Sequence, residues 1–283
     1  MRHALCLTLI MAAFGSAHAA CPASETVSSI ARSWQDMTPA SGLDKDMSLA
    51  DAACARRMLV GELARTQGKV VGYKAGLTNA AVQKRFGTDA PVRGTLFEKM
   101  LLNDGVEVPA RFGTRPVFEA DLVVEVKDEG INQAQTPAEV LQHISKIIPF
   151  IELPDLLLDP KEALNGATLS AINAGTRLGV LGKPVAPTPA HLDTLASMSV
   201  VVRDLADGDK EIARGPGSAI LGHPLNAVIW LARDLAQDGG KLKAGDLLSL
   251  GSFTPLTPPK PGMNIQVSYE GLPGMNGVSV RFK

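Results

Sequence analysis

The stretch Arg115-Pro116-Val117-Phe118-Glu119-Ala120-Asp121-Leu122-Val123-Val124-Glu125-Val126 decides how this chain is read. Phe118, Ala120, Leu122, Val124 and Val126 alternate, so they share one face of a β-strand and turn it toward a core. Glu119 and Asp121 then share the opposite face. Their Cα atoms lie roughly 6.5–7 Å apart, a separation from which two carboxylates converge on one cation. A third carboxylate, Glu152, sits in the apolar run Ile147-Ile148-Pro149-Phe150-Ile151-Glu152-Leu153. An acidic side chain in such company is partly buried, and burial without a partner is costly. Two readings fit. A hard divalent ion gathers all three, or Glu119 and Asp121 are the solvated face of an edge strand and Glu152 ends a strand at the surface.

Around this strand the elements alternate in type. Short β-type runs punctuated by Gly and Pro span Lys69 to Tyr73, Ile147 to Leu153, Ser197 to Arg203, Leu247 to Gly251 and Asn264 to Tyr269. Helices interrupt them. Ser48-Leu49-Ala50-Asp51 resembles a capping box opening a helix that closes at Gly68. Thr136-Pro137-Ala138-Glu139 predicts a helix from Pro137 to about Ser145, and Pro224 opens another that runs to Asp238 before Gly239-Gly240. With no internal repeat, low-complexity tract or long linker, the pattern predicts one main domain over 71–283 and a helical segment over 20–70.

The first 19 residues stand apart, because Arg2 is their single formal charge. Met1-Arg2-His3, the apolar run Ala4 to Phe14, and the small-x-small site Ala17-His18-Ala19 are the three parts of a secretory signal. The expectation is a periplasmic or secreted protein cleaved near Ala19. The apolar run is too short for a bilayer core of about 30 Å, and no later stretch is long enough, so no membrane span is expected. Cys6 leaves with the signal. Cys21 and Cys54 remain in an oxidising compartment and are expected to form a disulfide, against the alternative of a buried Cys54 and a free Cys21. Lipidation of Cys21 ranks lower, since His18 stands where lipoprotein processing favours Leu. The 28 Lys+Arg nearly cancel the 29 Asp+Glu and aromatics are only 4%, which excludes the basic, stacking-rich surface of a nucleic-acid binder.

Several motifs recur in the same order in the 2-keto-4-pentenoate hydratase group of the fumarylacetoacetate hydrolase superfamily, which this chain resembles. They are Gly72-Tyr73-Lys74-Ala75-Gly76-Leu77-Thr78, the Glu119/Asp121 pair, the Glu152 strand, Asn173 followed by Val180-Leu181-Gly182, Gly222-His223-Pro224, Lys243-Ala244-Gly245-Asp246, and Gly251-Ser252-Phe253-Thr254. The resemblance runs from about Asp51 to the C-terminus. It implies an α+β fold, a mixed β-roll with peripheral helices, and an assembly of identical subunits. It also implies a Mg²⁺ or Mn²⁺ ion on Glu119, Asp121 and Glu152, where Asp121 replaces a family glutamate. Lys74 would be the catalytic proton carrier or anion anchor, its pKa lowered by burial and the metal, and Leu77, Asn173, Arg177 and Ser252 would line the substrate pocket.

The implied reaction is hydration of a 2-hydroxy-2,4-dienoate, or its 2-oxo-enoate tautomer, to a 4-hydroxy-2-oxo acid, as in aromatic compound catabolism. Metal-dependent decarboxylation of a 2-oxo dioate is the alternative, and a non-catalytic exported oxo-acid-binding protein is a third reading. Two departures bear on activity. Val92 stands where family hydratases tend to be acidic, and a small Asn-Ala-Ser-Ser stretch reads Asn173-Ala174-Gly175-Thr176, followed by Arg177. The accompanying Arg93 and Arg177 suggest a more anionic ligand. Other chemistries fit worse. No histidine lies between His18 and His143 to serve a water-activating pair, Ser218 lacks a G-x-S-x-G elbow, and Gly215, Gly217 and Gly222 do not match the dinucleotide fingerprint.

Overall fold

The computed structural model describes residues 21–283, so the predicted signal over 1–19 lies outside the described residues. In chain order the elements are α1 (Ser24–Asp36), α2 (Leu49–Gln67), β1 (Val70–Gly76), α3 (Ala80–Arg85), β2 (Val92–Phe97), β3 (Leu101–Asn103), β4 (Val106–Val108), β5 (Glu119–Val126), α4 (Pro137–Gln142), β6 (Ile144–Leu153), α5 (Gly166–Ala171), β7 (Leu178–Leu181), α6 (His191–Ser197), β8 (Ser199–Asp204), β9 (Lys210–Pro216), α7 (Asn226–Gln237), β10 (Leu247–Ser249), β11 (Asn264–Glu270) and β12 (Val278–Phe282). They build a mixed α+β fold around two sheets.

Seven strands run in the order β2-β1-β10-β5-β6-β7-β3, and five in the order β4-β12-β11-β8-β9. The strand that opened the sequence reading is therefore central: β5 is antiparallel to both β10 and β6. That removes the edge-strand alternative. Ala120, Leu122, Val124 and Val126 face the main core, where they meet Ile147, Ile151, Leu153, Leu248 and Leu250 of the same sheet. Val200, Val202, Ile265 and Val267 reach this core from the second sheet. On the other face of the large sheet, Val123, Ile148 and Phe150 form a small apolar cluster beside the acidic residues.

The caps behave as their chemistry predicts, with some boundaries moved. Ser48 Oγ accepts from the Asp51 N–H at 3.1 Å, and the Asp51 carboxylate returns the bond to Ser48 N–H at 3.2 Å. The helix after Thr136 stops at Gln142 rather than Ser145. His143 closes it with its ring on Asp128 at 2.7 Å, and Ile144 begins β6, whose pairing outcompetes another helical turn. Near Pro224, His223 Nδ1 accepts from Leu225 N–H at 3.1 Å, and regular helix begins only at Asn226.

A second core lies under the N-terminal helices. Val27, Ile30, Ala31 and Trp34 of α1 pack with Ala52, Ala55, Leu59 and Leu63 of α2 and with Leu169 and Ala171 of α5. Cys21 is joined to Cys54, Cα to Cα 5.5 Å, which ties the start of α1 to α2. Among the described residues no helix is long and apolar enough to cross a membrane.

Candidate active site

Glu119 and Glu152 are direct cross-strand partners of β5 and β6, and Asp121 lies two residues along on the same face. All three side chains are buried. β1 enters this face from beyond β10, with Lys74 in register with Ser249. The Lys74 ammonium pairs with Glu152 Oε1 and donates to the Ala174 carbonyl at 3.2 Å. The remaining Glu152 oxygen, Oε2, is buried with no hydrogen-bond partner.

One lysine against three buried carboxylates leaves the cluster short of positive charge. Burial, followed by the Glu152 charge, holds the Glu119 carboxyl well above the usual carboxylate range. The same two causes push Asp121 up to about 8. In the metal-free protein burial pulls the Lys74 pKa down, but the charges of Glu152 and Glu119 outweigh burial and raise it.

Asp121 is the most constrained of the three. Its Oδ1 accepts from Leu122 N–H at 2.6 Å and from Gly251 N–H at 2.9 Å, and its Oδ2 accepts from the Ser249 hydroxyl. With Asp121 held in this way and one Glu152 oxygen on Lys74, no three His, Cys, Asp or Glu side chains among the described residues stand gathered as a ready cation cage. The donor set nevertheless suits a hard divalent ion. It offers three buried carboxyl groups, one with an unpartnered oxygen, and burial penalises the charged forms of Glu119 and Asp121 as long as no cation is there to offset them.

The other sequence candidates divide. Asn173 is buried beside the lysine, but its amide is consumed by the β2 backbone: Oδ1 accepts from Thr95 N–H at 2.7 Å and Nδ2 donates to Thr95 O at 3.0 Å. It supports a turn in which Asn173, Ala174 and Gly175 all have positive φ and which presents the Ala174 carbonyl to Lys74. Gly94 leaves room for this turn, because a Cβ there would lie 2.7 Å from Lys74 Cγ and 2.8 Å from the Asn173 carbonyl. Leu77, at φ 55, packs with the cluster that contains Val92 and Ala174. The Ser252 hydroxyl turns to the carbonyl of Thr254.

Arg177 does not join the site. Its Nε donates to Phe112 O, its Nη1 donates to Trp34 O at 2.8 Å, and its guanidinium lies 4.5 Å from the centre of the Trp34 ring and 3.5 Å from Asp155. Arg93 is likewise spent, on Asp234 at 2.7 Å and on Asp238. The extra arginines are therefore internal ties, which corrects the expectation that they add charge for a more anionic ligand. Sequence reading missed Ser249. The available signal was a lone hydroxyl in Leu247-Leu248-Ser249-Leu250, placed by period two on the face opposite Leu248 and Leu250.

Comparisons of sequence and of fold place this chain among known proteins. The chain is 33% identical over 204 residues to 2-keto-4-pentenoate hydratase 1 of Dechloromonas aromatica (strain RCB), covering 72% of this chain and 75% of that protein. Its fold is similar to 4-oxalocrotonate decarboxylase from Pseudomonas putida G7 complexed with magnesium and adipate, at TM-score 0.78 and 26% identity over 92% of this chain and 97% of that one. Fumarylpyruvate hydrolase from Pseudomonas aeruginosa, in complex with Mn²⁺ and pyruvate, shares the fold at TM-score 0.54 and 13% identity, covering 74% of this chain and 88% of that one. No family model matches the chain. Identity of this extent to a curated hydratase establishes that the chain belongs to the 2-keto-4-pentenoate hydratase family.

Proposed function

We propose that this protein is a divalent-metal-dependent hydratase that adds water to a 2-hydroxy-2,4-dienoate, or its 2-oxo-4-enoate tautomer, giving a 4-hydroxy-2-oxo acid. The observation that carries the reading is the buried Glu119, Asp121 and Glu152 cluster with Lys74 on Glu152. Glu119, Asp121 and Glu152 would hold Mg²⁺ or Mn²⁺. Bound there, the ion supplies Lewis acidity to the C2 oxygen of a chelating 2-oxo acid.

The chain's own residues do the rest. Three carboxylates, one lysine and a divalent charge balance, so an anionic substrate meets a neutral site. The Lys74 ammonium, fixed between Glu152 and the Ala174 carbonyl, stands where it can pair with the substrate anion and move a proton during ketonisation. The strained turn at Asn173 and Ala174 holds that carbonyl in place. The apolar Val123, Ile148 and Phe150 continue the sheet face that carries the acidic row.

Decarboxylation of a 2-oxo dioate remains the second reading, supported by the likeness to the decarboxylase structure. The internal pairing of Arg93 and Arg177 favours hydration, because neither is free to meet a second substrate carboxylate. Purified protein with Mg²⁺ and 2-hydroxypenta-2,4-dienoate should consume the dienol absorbance and stop on chelation. Recovery of carbon dioxide from a 2-oxo dioate, without hydration of the monoacid, would establish the second reading; ligand binding without turnover would leave a binding protein. We also propose export, from the signal pattern over 1–19. Cell fractionation with the mass of the mature N-terminus tests it: cytoplasmic recovery of the uncleaved chain would refute export.

A further inference from the structure

We propose that Ser249 is a positioning residue for Asp121, setting where that carboxylate stands against Glu119 and Glu152 and so how tightly the site holds a divalent cation. The proposal rests on the metal-binding part of the function proposed above. Ser249 is fully buried on β10, and its neighbours Leu248 and Leu250 face the core on the other side of the sheet. Its hydroxyl proton goes to Asp121 Oδ2.

Two residues later the chain turns at Gly251, φ 108, and aims the Gly251 N–H at Asp121 Oδ1 from 2.9 Å. A side chain at Gly251 would be strained and would run into Thr78. β10 and the turn that follows it therefore deliver two donors to one carboxylate, and Leu122 N–H supplies a third at 2.6 Å. Aspartate has a single methylene between Cα and carboxylate, so its two oxygens are placed by these donors rather than by its own reach. Partners that orient a ligating carboxylate are typically worth 10–100-fold in metal affinity.

The test is Mn²⁺ binding by calorimetry to the full-length mature protein as wild type, Ser249→Ala, Asp121→Asn and the double variant. S249A should weaken Mn²⁺ binding about tenfold or more, while the metal-free protein stays folded with its thermal midpoint lowered by the loss of one buried hydrogen bond. Because the hydroxyl acts through Asp121, the double variant should bind no more weakly than D121N alone. Wild-type affinity in S249A, or effects that add in the double variant, would overturn the proposal. If S249A fails to fold, Ser249→Thr keeps the hydroxyl and must keep the affinity; its loss overturns the role equally. Absence of Mn²⁺ binding by the wild type overturns both readings. Mn²⁺ binding that follows the expected pattern without any dienoate turnover removes the hydratase reading and leaves the role of Ser249 standing.

Discussion

Lys74 is one residue on which site and stability meet. Its ammonium is the only cation paired with Glu152 among the described residues, and both side chains are buried. Removing one partner of a buried ion pair leaves an uncompensated charge and costs about 3–5 kcal/mol. Lys74→Ala should therefore unfold more easily without metal and should lower kcat by about 100-fold or more. Dienoate turnover and thermal unfolding, each with and without Mn²⁺, measure the two effects, and a kcat near wild type would remove Lys74 from the proposed chemistry. Asp121, pushed up to about 8, gives a pH signature. The folded metal-free protein holds this proton above the ordinary carboxylate range, where the unfolded chain has lost it. The stabilisation is complete at low pH and disappears as pH rises toward 8, so the thermal midpoint should fall between about pH 5 and 8. Saturating Mg²⁺ should flatten that slope by replacing the proton. A metal-free midpoint that rises over this window would contradict the buried-carboxylate picture. Glu119, Asp121, Glu152 and Lys74 were all legible as residue types in their motifs. Ser249 was not, because a lone serine in an apolar strand acquires meaning only when β10 is known to lie beside β5.

The N-terminal helix α1 is held to the sheet domain by a side-chain tie. The Trp34 carbonyl and ring receive Arg177, and Trp34 Nε1 donates to Thr176 O at 3.3 Å, one residue beyond the turn that serves Lys74. Asp155 balances the guanidinium while also accepting N–H bonds from Thr114, Arg115 and Leu157. Arg177→Ala should destabilise the protein by about 3 kcal/mol and selectively raise hydrogen exchange in α1, as expected when a buried pair is broken. Unchanged exchange across Ser24–Asp36 would show that α1 does not depend on this tie. The capping boxes of α2 and α4 and the strongly alternating β5 were readable from the chain, because caps and period-two patterns are local. β3 and β4, three residues each, were not. So short a strand exists only because Leu101–Asn103 finds β7 and Val106–Val108 finds β12.

Across the whole molecule, the distribution of charge bears on substrate choice. Arg56, Arg93 and Arg177 are buried but committed to Asp234, Asp238 and Asp155, which leaves Lys74 as the cation at the acidic cluster. A dicarboxylate such as adipate should therefore bind the metal-loaded protein no more tightly than a monocarboxylate of similar length, as measured by competition in the dienoate assay. A tenfold preference for the dicarboxylate would reverse this and favour the decarboxylase reading. Sequence by itself determined the acidic pair on one strand face, the third carboxylate in an apolar run, the caps and the order of motifs, because each depends on spacing along the chain. Only the tertiary structure decided that β5 is central, that Asn173 supports a turn instead of facing ligand, that Arg93 and Arg177 are internal ties, and that Ser249 holds Asp121. Those outcomes depend on which segments become neighbours, and a polar side chain takes its role from the partner that burial obliges it to find.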